Sequence, residues 1–159
     1  MFLRPSFIAV ATGIIGSAWS SGAIASATIM GVSAAINVPS TAAKTWREIY
    51  LHGAALMPKV AATVTLAYSY AAYEGYCTGG VWKGYVAAAG FLISIIPFTL
   101  ICMRHTNACL HKMAEGREAA KEWVLEDLLR RWNILNLTRS CLCLISSIIG
   151  MVTMIQSLH

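Results

Sequence analysis

The sequence predicts an all-α protein, an integral membrane four-helix bundle with cytosolic helical extensions. Of its 159 residues, 57% are hydrophobic and 12% are charged, and the mean hydropathy is +0.63. Soluble domains carry about 25% charged residues. A chain this short has too much surface to hide so many apolar side chains in a water-facing core, so the lipid bilayer is the predicted solvent.

Four segments without charge are long enough to cross a bilayer. At 1.5 Å per residue, roughly twenty residues span the hydrocarbon thickness of about 30 Å. The first segment continues unbroken to Ile36, which is too long for the apolar part of a secretory signal. The second is the least regular, because Lys59 interrupts it and Pro58 favours a break. We therefore predict a single domain over 1–159 with spans at about 7–36, 53–73, 84–103 and 137–158.

Small residues recur at every fourth position of the first span, as in the series Gly13, Ser17, Ser21 and Ala25. Inside lipid, small side chains at this spacing let two helix backbones approach closely, and van der Waals packing replaces the hydrophobic effect. The pattern predicts a central position for the first helix in the bundle.

The basic residues predict which side of the membrane each loop faces. With four spans, the termini and the middle loop share one side, and the first and third loops share the other. Arg4 and Lys83 fall in the first set, and the other ten basic residues fall in the second. Loops rich in Lys and Arg stay in the cytosol, so loops 1 and 3 are expected to be cytosolic and both termini lumenal or exterior. The net charge of +5 thus indicates topology and does not suggest a nucleic-acid partner.

The third loop, from Arg104 to Trp132, carries charges in an order that favours a helix. Glu126 precedes Arg130 by four residues, and Asp127 precedes Arg131 by four. An apolar stripe at helical spacing runs through the same segment. We expect one long helix that starts in the cytosol and continues into the bilayer.

Three polar side chains share one face at the cytosolic start of the last span. Trp132, Asn136 and Arg139 are four and then three residues apart, so they fall within an arc of roughly 60°. An indole N–H, a carboxamide and a guanidinium aligned in this way form a site for an anionic or carbonyl oxygen. In the simpler interpretation, Arg139 reaches the lipid headgroups and Trp132 lies in the interfacial aromatic belt.

The histidines form no compact metal-binding motif. Asn107 and His111 are four residues apart and share a helix face, whereas His105 points away from them. His52, His105 and His111 belong to the same membrane side, so a distributed metal site is geometrically conceivable. Their spacing matches neither H-x-x-x-H nor H-E-x-x-H, and unliganded interfacial histidines are commoner.

Four short motifs extend over most of the chain: W-x3-Y-x2-G-x4-P from Trp46, P-x-T from Pro97, T-N-x2-L from Thr106, and W-N-x2-N-x2-R from Trp132. The last motif, which is followed by an apolar span, is the most specific of the four. In combination they resemble the anthrone oxygenases of fungal aromatic polyketide pathways. One difference is His105, which stands where members of the family often have proline before the T-N pair.

This resemblance implies a monooxygenase that oxidises an anthrone, a tricyclic ketone with a doubly benzylic methylene, to an anthraquinone with dioxygen. The methylene is acidic because its anion is a delocalised, phenolate-like species that reduces oxygen directly. We therefore expect no cofactor, with dioxygen as co-substrate and a small aromatic polyketide as the ligand. In the alternative, copper, iron or haem held by His52, His105 and His111 activates the oxygen.

Candidate site residues follow from the resemblance together with the spacing. Donors are expected to hold the oxygen-bearing edge of the substrate, and a histidine is expected to remove a proton. Asn107 is expected to face the last span from the third. The catalytic candidates are His111, His105, Asn136 and Arg139, and the substrate-binding candidates are Trp132, Asn107, Tyr50 and Trp46.

A non-enzymatic interpretation fits the same sequence. A small tetraspan scaffold would pack against partner membrane proteins through its first helix. It predicts that Trp132, Asn136 and Arg139 tolerate conservative change.

Overall fold

The computed structural model describes residues 5–117 and 121–158, and every regular element within those ranges is helical. Arg4 and the segment 118–120 of the expected third loop lie outside the described residues. The all-α prediction is confirmed. The elements are α1 (Pro5–Ser26), the π-helical segment π1 (Ala27–Val32), α2 (Ser33–Ile36), α3 (Pro39–Cys77), α4 (Lys83–Ile93), α5 (Ile95–Cys102), α6 (Arg104–Ala114) and α7 (Glu122–Gln156).

Four helical stretches are long and apolar enough to cross a membrane, which agrees with the number of charge-free segments. The expected break at Pro58 is wrong, because α3 continues through it. A proline removes only one N–H donor, and the remaining hydrogen bonds of this 39-residue helix keep it continuous. The stretches are Ser6–Ile36, Pro39–Cys77, Lys83–Cys102 and Glu122–Gln156.

The first expected loop is almost entirely helical. Only Asn37 and Val38 separate α2 from α3, and Pro39 stands in the first turn of α3. Proline is favoured there because its missing N–H would have no partner in the helix. Trp46 and Tyr50 are therefore one turn apart on a rigid helix, and the charged third loop likewise forms α6 and the start of α7.

Polar side chains of α7 bond to backbone carbonyls of α1 along their whole contact. As residue numbers increase along α7, the residue numbers of their partners in α1 decrease, so the two helices are antiparallel. Each bond gives a hydroxyl or amide group a hydrogen-bond partner, which the lipid hydrocarbon cannot supply. The bonds run from Asn136 Nδ2 to Ile24 O at 3.1 Å, from Ser140 Oγ to Ser21 O at 2.9 Å and from Ser147 Oγ to Ile14 O at 3.1 Å.

Tyr68 of α3 fills the core where α1 and α7 meet, and it is fully buried. A Cβ atom added at Gly13 would lie 2.6 Å from Tyr68 Cε1, and one at Gly150 would lie 2.7 Å from the same atom. Only glycine leaves room for the ring at both positions. The first helix thus packs closely against α3 and α7, as its small residues predict. The predicted central position is wrong, because α4 also packs against α3 and α7 and the first helix is one of four equivalent corners of the bundle.

A second core cluster closes the end of the bundle that carries the first and third loops. It joins the end of the first span to α3, α6 and α7. Between α5 and α6 the chain bends at Met103, so α6 begins as a separate helix directly below the third span. The largest fully buried side chains of this cluster are Val32, Trp46, Met103, Leu110 and Leu129.

Candidate functional site

Four aromatic rings meet at this end of the bundle, and Trp46 lies at their centre. The ring centroid of Trp46 is 5.3 Å from Tyr50, 4.9 Å from His111 and 6.1 Å from Trp132. Tyr50 and His111 are 4.8 Å apart, edge to face. Three separate helices, α3, α6 and α7, therefore bring together three of the substrate-binding candidates and one catalytic candidate. We call these four residues the aromatic cluster.

The aromatic cluster is closed. Its centroid distances are those of aromatic rings in direct contact, so no flat tricyclic molecule fits between them as they stand. A cavity of about 30 Å³ lies at the same end of the bundle, lined by α2, α3 and α7 residues that include Ala42 and Leu129. That volume suits a single water molecule. A polycyclic ligand therefore enters only when the rings part.

Asn136 uses both ends of its carboxamide within the protein. Its Nδ2 donates to Ile24 O at 3.1 Å and to Thr28 Oγ1 at 2.9 Å. Its Oδ1 accepts a hydrogen bond from Arg139 Nη1 at 3.1 Å. Asn136 is buried. With its polar atoms engaged in this way, Asn136 acts as a clamp that fixes Arg139 relative to the first span.

Arg139 is half-buried and has no carboxylate partner within the described residues, where the ion pairs join Glu115 to Arg117 and Glu126 to Arg130. Its Nη1 lies 4.0 Å from Met103 Sδ, and the guanidinium is within electrostatic range of Tyr50. Arg139 therefore lies beside Met103, next to the aromatic cluster.

Buried polar atoms without a partner are concentrated at this same end. In the part of the chain that the structure describes, all of them except Glu74 Oε2 belong to α6, to the segment of α3 that holds Trp46, or to the segment of α7 between Trp132 and Arg139. A buried donor or acceptor left unpaired costs roughly 1–3 kcal/mol. Such a concentration is typical of a ligand site. The atoms are Trp46 Nε1, Arg47 Nε, Thr106 Oγ1, Asn107 Oδ1, Trp132 Nε1, Asn133 Oδ1 and Arg139 Nε.

Asn107 lies on the buried face of α6, as its spacing with His111 predicts. It is 8% exposed, and its Oδ1 is among the unpartnered atoms. His105 lies on the opposite, exposed face, where its ring is 3.9 Å from Cys109 Sγ. Asn107 thus belongs to the site end of the bundle, and His105 is turned away from it.

The three histidines of the alternative metal site do not converge. His52 is exposed on α3, and its Nδ1 is 2.8 Å from Glu48 O. His105 is exposed on α6, whereas His111 packs into the aromatic cluster. Among the described residues, no three His, Cys, Asp or Glu side chains lie close enough together to hold a metal ion. Of the three, only His111 has a place in the candidate site.

Thr106, Met103 and Asn133 were missed as site residues by the sequence interpretation. Thr106 opens the T-N-x2-L motif, and Asn133 stands inside W-N-x2-N-x2-R, so both were visible in the motifs. Nothing in the spacing distinguishes a buried, unpartnered hydroxyl from one that bonds to its own helix. Met103 carries no polar signal at all, since its place follows from the bend between α5 and α6.

Comparison with known proteins gives consistent matches. An anthrone oxygenase of Aspergillus fumigatus is 30% identical over 147 residues, which cover 91% of this chain and 91% of that protein. An anthrone oxygenase of Paecilomyces divaricatus is 28% identical over 151 residues, covering 89% and 92%. A noranthrone monooxygenase of Aspergillus flavus is 28% identical over 118 residues, covering 72% and 56%. No solved structure matches.

A family model described as anthrone oxygenase matches residues 46–149. That segment begins at the central ring of the aromatic cluster and includes Asn107, Trp132 and Arg139. On this match and these relatives, the chain belongs to the anthrone oxygenase family.

Proposed function

We propose that this protein oxidises an anthrone to an anthraquinone with dioxygen, as a step in the biosynthesis of a polyketide-derived pigment or toxin. The observation that carries the proposal is the set of unpartnered buried donors and acceptors around the aromatic cluster, in a chain of the anthrone oxygenase family. Aromatic rings offer contact area to a flat tricyclic ligand, and the indole N–H groups of Trp46 and Trp132 offer donors to its oxygen atoms.

The reaction balances without a further reagent. A base removes one methylene proton, which leaves a delocalised anion with much of its charge on oxygen. This anion transfers an electron to dioxygen, and the resulting radical pair combines into a carbon-bound peroxide anion. The protonated base returns its proton to the outer oxygen, which gives the hydroperoxide. Loss of water from the hydroperoxide gives the new carbonyl, so one CH₂ group and one O₂ become one C=O group and one H₂O.

His111 is the candidate base. It is half-buried and packs against Trp46 and Tyr50. A tricyclic ligand that entered between these rings would therefore lie against the His111 ring. Histidine is the side chain that enzymes most often use for proton transfer. The exposed positions of His52 and His105 support neither of them in this role.

The proposed reaction uses no cofactor, because the substrate anion itself reduces oxygen. In the alternative, His52, His105 and His111 hold copper, iron or haem. The separate placement of these three side chains supports the direct reaction and a base role for His111. A requirement for added copper, iron or haem in the activity assay would favour the metal alternative.

The protein is proposed to lie in the membrane with its first and third loops in the cytosol. Ten of the twelve basic residues support this orientation. The aromatic cluster lies at the same end of the bundle as these loops. The substrate would then be received at the cytosolic surface of the bilayer, where an apolar tricyclic ketone partitions.

The test is an assay of purified, metal-analysed protein with emodin anthrone, run aerobically and anaerobically. Aerobic conversion to emodin well above the spontaneous rate, with no conversion anaerobically, supports the proposal. A rate equal to that of protein-free buffer contradicts it. Conversion that requires added copper, iron or haem would retain the activity and replace the cofactor-free mechanism.

A further inference from the structure

The hydroxyl of Thr106 is an exception among the buried threonines of the described structure. Thr153 is also buried, and its Oγ1 donates to Ile149 O, four residues earlier in its own helix, at 2.7 Å. Thr28 makes the same kind of bond to Ile24 O at 3.4 Å. Thr106 is 0% exposed, yet its Oγ1 has no partner within the described ranges. A hydroxyl of this kind needs a ligand or a water molecule to satisfy it.

The bend at Met103 explains why this hydroxyl is left free. The residue four positions before Thr106 is Cys102, the last residue of α5, and α6 begins only after the bend. Thr106 therefore stands in the first turn of α6, where the backbone N–H groups also have no acceptor inside the helix. The first backbone bond into α6 runs from Asn107 N to Met103 O at 2.9 Å.

Arg139 adds a full positive charge to this partially positive helix end. Its Nη1 approaches the sulfur of Met103, the residue that caps α6, to 4.0 Å. Met103, Thr106 and Asn107 share the buried face of α6, because they are three and four residues apart. The partially positive start of α6 and the Arg139 guanidinium repel each other when no anion is present. An anion bound between them would be attracted to both.

We infer that the first turn of α6, the Thr106 hydroxyl and the Arg139 guanidinium together bind an oxyanion, which is the deprotonated oxygen of the substrate. This inference rests on the proposed function and adds Thr106 as a catalytic residue. Thr106 donates its hydroxyl to the oxygen that gains charge when the methylene loses its proton. Because Cα–Cβ bonds point toward the start of a helix, the side chain leans toward the same N–H groups.

The test compares two variants that differ only by the hydroxyl. Thr106→Ser and Thr106→Ala both lose the methyl group, so any difference between them reports the hydroxyl alone. Thr153→Ala is the matched control, since it removes a buried hydroxyl at the other end of the bundle. Turnover of emodin anthrone, the visible absorbance of its anion under anaerobic conditions and the unfolding temperature are measured for each in lipid nanodiscs.

Thr106→Ala is expected to lower kcat on the order of 10²-fold, the effect of removing one oxyanion donor, and to reduce the anaerobic absorbance of the bound anion. Thr106→Ser is expected to keep most of both. The two should unfold at similar temperatures, because the hydroxyl makes no bond in the free protein. Thr153→Ala is expected to unfold at a lower temperature with unchanged kcat.

Equal kcat and equal anion absorbance in Thr106→Ala and Thr106→Ser would overturn the inference. So would a loss of activity that follows a lower unfolding temperature. If the unaltered protein turns over emodin anthrone while these variants do not differ, the oxyanion site is wrong and the proposed function stands. If the unaltered protein neither oxidises emodin anthrone nor raises the absorbance of its anion, both are wrong.

Discussion

Arg139 is held by Asn136 through a hydrogen bond of 3.1 Å from Nη1 to Oδ1, while the same carboxamide is anchored to the first span. A half-buried cation therefore has its direction set by a neutral side chain. That leaves the positive charge of the guanidinium uncompensated and available to a ligand, whereas a carboxylate partner would neutralise it.

Arg139→Lys is expected to lower kcat/KM of anthrone oxidation by about 10²-fold or more. A lysine ammonium is a point charge and does not replace a planar guanidinium that bonds Asn136 and a substrate oxygen at once. Arg130→Lys is the control, because Arg130 is exposed and pairs with Glu126. Near-normal turnover of Arg139→Lys would indicate a headgroup anchor and favour the scaffold interpretation.

Asn136→Ala is expected to lower both the unfolding temperature and kcat. The substitution removes the anchor to Ile24 and Thr28, at a cost of about 1–3 kcal/mol, and releases the guanidinium of Arg139. Ser140→Ala serves for comparison, since the Ser140 hydroxyl bonds Ser21 of α1 along the same contact and makes no hydrogen bond with the Arg139 side chain. Loss of stability with full activity in Asn136→Ala would show that the clamp on Arg139 has no role in the reaction.

His111→Ala is expected to reduce turnover by about 10²-fold to 10⁴-fold, the usual contribution of a general base, in protein without stoichiometric metal. His52→Ala and His105→Ala should stay active, since both side chains are exposed. Elemental analysis before and after chelation accompanies the assay. Activity that is lost with a bound metal and restored by copper or iron alone would make the three histidines ligands and contradict the base role.

Gly13→Ala is expected to destabilise the protein by about 1–3 kcal/mol, because its Cβ would lie 2.6 Å from Tyr68 Cε1. Gly22→Ala is the matched control in the same helix, since a Cβ there meets nothing within 4 Å. Thermal unfolding in one detergent distinguishes the two. Equal unfolding temperatures for Gly13→Ala and Gly22→Ala would contradict the close packing of α1 on α3.

A cysteine introduced at Arg117 is expected to be labelled from the cytosolic side of sealed membranes, in a background whose native cysteines are replaced by serine. A cysteine at Thr78, in the turn after α3, should be labelled only from the other side. The ten-to-two distribution of basic residues predicts this result. Labelling of the first position from the lumenal or exterior side alone would reverse the orientation.

Those features of the fold that arise within one helix were predictable from the sequence. Glu126 and Arg130 do form an ion pair four residues apart, and Trp132, Asn136 and Arg139 follow one face of α7. The contact of Trp46 with His111 was not predictable, because it depends on how α3 packs against α6. The break expected at Pro58 is absent because the long helix keeps its other hydrogen bonds. Pro39, by contrast, does mark a helix start.

The π-helical segment π1 corrects the phase of the first span. Residues four apart on a regular α-helix drift around its axis by about 40° at each step, so a stripe with that spacing would gradually leave its neighbour. A π-helix turns less per residue, because its bonds join residues five apart. Thr28 and Val32 of π1 are both buried, in line with Ile24 before them. One wide turn thus keeps Ile24, Thr28 and Val32 on the buried side of the first span, and deleting Ala27 would rotate Thr28 away from Asn136, the residue that orients Arg139.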